Sequence, residues 1–241
     1  VAHQKKTWLL SYPRSGVSWL RYIAEVLTKT ATQDFGQRLP NCGINRLIKN
    51  NNDINYSCKP FITKLHDPSR RVKLANQDNG KQRLVLVLRN YKEVIPTYIY
   101  SRDRHSCGYR EFMQLLSVSV ILRELRKYFS NVLCYNGWAG PKHIIYYEEL
   151  MTHPKRVIKK WGEILKAKDT SVSTFINNYQ EHRKLCLKLK TQPGFMSCNT
   201  KGAAHKLKFF SDKMTTEQME EVSFAVSQQV RGALKHVSIY T

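Results

Sequence analysis

Residues 9–20, "LLSYPRSGVSWL", place a proline, a basic residue and a glycine between two apolar segments. Trp8, Leu9 and Leu10 lead in, and Pro13 breaks the run. Trp19, Leu20, Tyr22, Ile23, Val26 and Leu27 then recur at helical spacing. The pattern predicts a strand, a tight turn and a helix. At such a junction the free backbone N–H groups of the helix start face outward, and the turn forms a concave nest for an anion. Phosphate, or a group of similar charge and shape, is the expected guest.

Outward from this turn, "RLVLVLRN" (83–90) is the clearest strand, and its unbroken apolar run suits a central parallel strand covered on both faces. "PFITKLHDP" (60–68) predicts a short strand that delivers Lys64 and His66 to its carboxyl edge. "HIIYYEEL" (143–150) predicts another buried strand, ending at Tyr147 and Glu148. Helical spacing covers 92–102, where Pro96 is expected to kink or shorten the helix, and also 109–129 and 154–166. Residues 33–57 read as a long polar loop with one short helix near 44–48. The part from Val172 onward reads as helical with basic loops, ending in a helix capped by Thr215 or Thr216. The alternation of elements implies an α/β domain with a central parallel sheet and helices on both faces. Ligands then gather at the carboxyl ends of the strands, where 12–19, Lys64, His66, Arg89 and Tyr147 all fall.

At 241 residues and 41% hydrophobic, the chain is sized for one domain, 1–241, with no sign of a second. No apolar run approaches a membrane span and no signal peptide opens it, although a start at Val1 leaves a removed leader or anchor open. Six cysteines without CxxC spacing argue against zinc and against a disulfide scaffold, so a reducing, cytoplasmic location is expected. Asn55-Tyr56-Ser57 is a lone glycosylation sequon and carries little weight. Forty Lys and Arg against eighteen Asp and Glu leave a net charge of +22, a field that attracts anionic partners unless it is merely a solvated basic surface. Nucleic acid is not expected, because the basic residues are dispersed and no recognition motif accompanies them.

The turn is not a Walker A loop: its first glycine is missing, Arg14 precedes Gly16 where a lysine should follow it, and no strand-borne aspartate stands ready for magnesium. A cradle in which arginine replaces the metal suits a singly charged sulfuryl group better than a polyphosphate.

"YPRSGVSWL" (12–20) resembles the 5′-phosphosulfate loop, roughly YPKSGTTWL, of sulfotransferases that use 3′-phosphoadenosine 5′-phosphosulfate (PAPS). "LVLVLRNYKEVIPTYIY" (84–100) is similar to their 3′-phosphate motif, "FITKLHDP" (61–68) to their Lys-Thr-His segment and "IIYYEEL" (144–150) to their Tyr-Glu-Asp strand end. "TKGAAHKLKFF" (200–210) more faintly resembles their RKGxxGDWKxxF loop, departing at Thr200 and at His205, Lys206 and Leu207. The five stretches keep the family's order. The family's short C-terminal dimer motif has no counterpart in the chain.

The resemblance implies a P-loop-like three-layer domain that transfers a sulfuryl group from PAPS to a hydroxyl or amine, releases adenosine 3′,5′-bisphosphate (PAP) and needs no metal. By position, it implies that Arg14, with the backbone of Ser15, Gly16, Val17 and Ser18 and the Ser18 hydroxyl, holds the 5′-phosphosulfate. Trp19 and Tyr147 would face adenine, and Arg89, Thr97, Lys201 and Gly202 the 3′-phosphate. His66 is the candidate base, with Lys64 and Arg14 stabilising the charge that develops on the leaving group. Each has a plainer reading: His66 a hydrogen-bonded loop histidine, Arg14 and Lys201 surface charges, Trp19 and Tyr147 core, Arg89 a partner of Glu93. The acceptor is open between an acidic glycan and a small hydroxylated metabolite. The rival functions are a kinase with a degenerate P-loop and a polyanion-binding protein without turnover.

Overall fold

The computed structural model describes residues 5–34, 54, 61–68, 81–103 and 117–189, and 216–217, 220–221, 223–224 and 227–228 of the C-terminal part. Strand β1 (Thr7–Ser11) leads through the turn into α1 (Val17–Thr28). There follow β2 (Gln33–Asp34), β3 (Ile62–Leu65), β4 (Arg83–Leu88), α2 (Tyr91–Asp103) and α3 (Val118–Asn136). The described core closes with β5 (Lys142–Tyr146), α4 (Tyr147–Thr152), α5 (Pro154–Leu165), α6 (Asp169–Asn177) and α7 (Tyr179–Leu189).

The five strands form one parallel sheet in the order β2-β3-β1-β4-β5. The apolar run of β4 is explained by its two covered faces. Leu84, Leu86 and Leu88 join Leu10, Ile95, Ile99, Leu125 and Phe129 beneath α2 and α3. Val85 and Val87 join Leu9, Ile62, Leu20, Ile23 and Trp161 beneath α1, α5 and α6. Each such side chain withdrawn from water contributes roughly 1.5–3 kcal/mol. The indole N–H of Trp161 donates to the Leu20 carbonyl at 3.1 Å, tying α5 to α1. Where α5 meets α6, a Cβ on Gly162 would stand 2.5 Å from Val172 Cγ2, so only glycine permits that approach.

Four local expectations are corrected. Gln33 and Asp34, expected in a loop, pair as a strand with Thr63 and Lys64. The last strand ends at Tyr146, one residue before the expected Tyr147, because Glu148 and Glu149 lie in the first turn of α4, where acidic residues favour helix initiation. Pro96 lies within α2 and does not shorten it, since the helix continues to Asp103. Helix α3 continues past Phe129 to Asn136, and the expected start at 109 lies outside the described residues. The expected helix at 44–48 and the Asn55 sequon lie outside them as well, and of the C-terminal helix only separate residues from Thr216 onward are described.

Candidate active site

The turn between β1 and α1 is anchored to α3. The Tyr12 hydroxyl donates to Glu124 Oε2 at 2.7 Å, fixing the start of the turn to α3, and the Ser15 N–H donates to the Tyr12 carbonyl at 3.3 Å. Arg14 and Gly16 have φ of 73° and 86°, so the turn visits the left-handed region twice within three residues. For Arg14 that conformation costs on the order of 1–2 kcal/mol, the kind of local strain that collects at functional turns. A Cβ on Gly16 would meet Tyr147 Cδ2 at 2.4 Å, so glycine is required there by both conformation and space. Gly16 caps α1 without a side-chain hydrogen bond, and no acidic residue lies in the first turn of the helix. The N–H groups of Gly16, Val17 and Ser18 have no backbone acceptor among the described residues. Ser15 is 0% exposed, and its hydroxyl has no partner among the described residues. The cradle is thus a row of donors at the positive end of a helix dipole.

Arg89, just beyond β4, closes one wall. Its Nη1 donates to the Arg14 carbonyl at 3.0 Å, its Nη2 to Glu93 Oε2 at 3.2 Å, and its guanidinium lies 4.5 Å from the centroid of the Tyr147 ring. The side chain is 16% exposed, and its buried Nε has no acceptor among the described residues. The plainer reading of Arg89 as the partner of Glu93 therefore holds for one nitrogen, while the remainder of the guanidinium belongs to the turn. The Tyr128 hydroxyl donates to the Arg89 carbonyl at 2.9 Å, and Glu148 accepts the Asn90 N–H at 2.9 Å, so the residues after β4 are held from α3 and α4. Thr97 is buried, and its hydroxyl donates to the Glu93 carbonyl at 2.7 Å within its own helix.

On the other side of β1, His66 follows β3. Its Nδ1 lies 2.8 Å from the Ser11 carbonyl oxygen. A carbonyl only accepts, so Nδ1 carries the proton and the lone pair sits on Nε2. Burial first, and the charge of Lys64 second, push the imidazole down to about 4, so it is neutral at physiological pH. Lys64 Nζ donates to Asp34 Oδ2 at 2.7 Å, and its side chain is 14% exposed. Burial lowers the basicity of that amine, and Asp34 opposes the effect.

Trp19 does not line the cradle as an open platform. It is 8% exposed, stacked on Tyr22 at 5.3 Å with Phe175 and Tyr179 around it, which is the core reading. Lys201 and Gly202 lie outside the described residues. Among the described residues no group of three His, Cys, Asp or Glu side chains is placed to hold a metal ion, and no helix is long and apolar enough to cross a membrane.

Sequence reasoning missed Tyr12, Glu124, Glu148 and Asp34. For Glu124 a signal existed: it stands on the apolar stripe Ile121, Leu125, Tyr128, Val132 of α3, a position that a carboxylate occupies only with partners.

A family model described as "Sulfotransferase domain" matches residues 4–232. Among solved structures, mouse sulfotransferase SULT7A1, crystallised in complex with PAP, superposes with a TM-score of 0.56 at 15% identity, over 95% of this chain and 85% of that one. A sulfotransferase from Alicyclobacillus acidocaldarius superposes with a TM-score of 0.51 at 12% identity, over 99% of this chain and 96% of that one. No curated protein matches the chain significantly.

Proposed function

Since the chain belongs to the sulfotransferase domain family, we propose that it moves a sulfuryl group from PAPS to a hydroxyl or amine acceptor, with His66 as general base. The observation that carries this reading is the bond from His66 Nδ1 to the Ser11 carbonyl. It fastens the base to the root of the anion-binding turn and leaves Nε2 able to accept a proton.

The residues fit such a nucleotide. The backbone N–H groups of Gly16, Val17 and Ser18, with the Ser15 and Ser18 hydroxyls, offer donors to the 5′ end, and the Nε of Arg89, without an acceptor among the described residues, offers one toward the 3′-phosphate. The family resemblance would add Arg14 to the 5′ site and Thr97, Lys201 and Gly202 to the 3′-phosphate site. Tyr147, whose ring lies against the Arg89 guanidinium, borders the adenine, and stacking of a base on such a ring contributes ~1–3 kcal/mol, while Trp19 supports the turn from the core. The bound co-substrate supplies an activated sulfuryl group whose bond to the 5′-phosphate oxygen breaks as the acceptor atom bonds to sulfur. His66 Nε2 takes the acceptor's proton. Arg14, Lys64 and the turn's N–H groups receive the charge that accumulates on the departing oxygen, and preorganised donors of this kind stabilise the transition state more than the ground state. The net charge of +22 favours an anionic acceptor, an acidic glycan ahead of a small neutral metabolite.

The test is a transfer assay with ³⁵S-labelled PAPS against glycans, phenols, steroids and polar alkaloids, paired with thermal shifts by PAP and by magnesium-ATP. Stabilisation by PAP and label transfer that is lost in His66→Ala is the expected result. Stabilisation by magnesium-ATP alone indicates a kinase. Salt-sensitive polyanion binding that is indifferent to His66→Ala, without transfer, indicates a binding protein.

A further inference from the structure

Beneath the candidate base lies a buried chain of polar groups that the proposed mechanism does not use. On α1, Glu25 is 0% exposed and accepts hydrogen bonds from both the hydroxyl (2.6 Å) and the N–H (2.9 Å) of Thr32. Arg21, one turn earlier and also buried, donates from Nε to Thr32 Oγ1 at 2.8 Å and from Nη2 to the Thr32 carbonyl at 3.3 Å. Its Nη1 lies 3.6 Å from Asp34 Oδ2. That same carboxylate oxygen accepts from Lys64 Nζ at 2.7 Å. Asp34 and Lys64 are register partners in the parallel β2–β3 pair, and β2 is only two residues long. The short strand therefore serves chiefly to set one carboxylate beside one amine.

We infer that Asp34 is a positioning residue: it fixes the Lys64 amine at the carboxyl end of β3, two residues from His66, where the proposed transfer reaction needs a cation. This rests on the reading of Lys64 as a catalytic group. The charged groups that face Lys64 among the described residues are Arg21 from α1, Asp34 from β2 and His66 beyond β3, and its partner on β1, Leu9, is apolar. Burial and Arg21 both act against the ammonium form, and Asp34 alone of these acts for it. Without the carboxylate, an amine so enclosed sheds its proton at lower pH or turns toward water. Asp34 thereby favours the ammonium form of Lys64, while its own charge, close to His66, opposes the depression that burial and Lys64 impose on the imidazole.

The substitution Asp34→Asn keeps the shape and removes the charge, and Asp34→Glu restores the charge on a longer stem. The Lys64 titration is followed through its ¹³Cε resonance in lysine-labelled protein, assigned by Lys64→Arg. The midpoint is expected to fall by about one pH unit or more in Asp34→Asn and to recover largely in Asp34→Glu. In the transfer assay, the alkaline limb of kcat moves to lower pH by the same amount. At neutral pH, kcat falls by about 10- to 100-fold, while PAP affinity stays within about twofold of wild type. A Lys64 midpoint unchanged in Asp34→Asn overturns the inference whether or not the protein transfers sulfate. Wild-type protein that neither binds PAP nor transfers label overturns the reading of Lys64 as catalytic and leaves the titration to decide the Asp34–Lys64 pairing alone.

Discussion

Arg89 and Arg14 are joined by a hydrogen bond from guanidinium to carbonyl of 3.0 Å. Two basic residues 75 positions apart thus meet through backbone, and the turn after β1 and the residues after β4 form one surface. The pairing also explains how Arg14 holds a positive φ: its carbonyl is engaged from the neighbouring strand end. If Arg89 contacts the 3′-phosphate, Arg89→Ala removes that contact and the support of the turn together. A charge-assisted hydrogen bond is worth ~1.5–3 kcal/mol, so PAP affinity is expected to fall by about 10- to 100-fold in calorimetric titration. Arg89→Lys should recover little, since a point charge cannot reach the Arg14 carbonyl and a phosphate at once. Unaltered affinity in both variants would place the nucleotide elsewhere.

Gly16 and Tyr147 give a test that separates conformation from space. Gly16→Ala puts a Cβ 2.4 Å from Tyr147 Cδ2 at a φ of +86°. The left-handed conformation costs about 1–2 kcal/mol and the crowding about 1–3 kcal/mol, so Tm should drop by several degrees and PAP binding should weaken. In Gly16→Ala/Tyr147→Ala the crowding is gone and the conformational cost stays, so the double variant should be more stable than the sum of the two single changes predicts. Strict additivity in chemical denaturation would mean that the ring does not pack on the turn.

Glu124 sets the acid stability of the turn's anchor. Burial alone would raise its carboxyl, but hydrogen bonds from Lys127 (2.8 Å) and Tyr12 (2.7 Å), with the charges of Lys127 and Arg102, outweigh burial and hold it below the ordinary carboxylate range. The folded state therefore favours the ionised form. That contribution is complete above the unfolded value near 4.5 and is lost as pH falls below it toward the folded value. Glu124→Gln should lower unfolding free energy at pH 7 by about 1.5–3 kcal/mol and flatten its decline between pH 5 and 3. If the wild-type and variant curves run parallel across that range, Glu124 is not the titrating group.

Much of this arrangement was legible in the sequence because it depends on local signals. The unbroken run Leu84–Leu88 could only be a strand covered on both faces, and Pro13 with Gly16 could only be a turn. What escaped depends on partners distant in sequence. Gln33-Asp34 has no apolar pattern and is a strand only because β3 lies beside it. Glu124 reaches a residue 112 positions earlier. Trp19 illustrates the limit of motif reading: its position in "YPRSGVSWL" points to a base-stacking platform, whereas its surroundings, Tyr22, Phe175 and Tyr179, come from α1, α6 and α7, whose packing no short motif encodes.

His66 carries a prediction whose sign follows from its surroundings. Burial and Lys64 depress its folded value to about 4, against an ordinary 6.5. The stability that neutral His66 contributes is thus fully present above pH 6.5 and is lost as pH falls through 6.5 toward 4. For catalysis, the base form persists well below neutrality, so the acid limb of kcat/KM should lie near pH 4–5 rather than 6.5. A base that weak takes a proton only as the acceptor–sulfur bond forms, so it acts in the transition state and not by forming an alkoxide beforehand. His66→Gln removes the base and should lower kcat by about 10²- to 10⁴-fold, with PAP affinity nearly kept and the acid-dependent loss of stability between pH 6.5 and 4 diminished. An acid limb at 6.5 in the wild type, or transfer retained in His66→Gln, would assign the proton to another group.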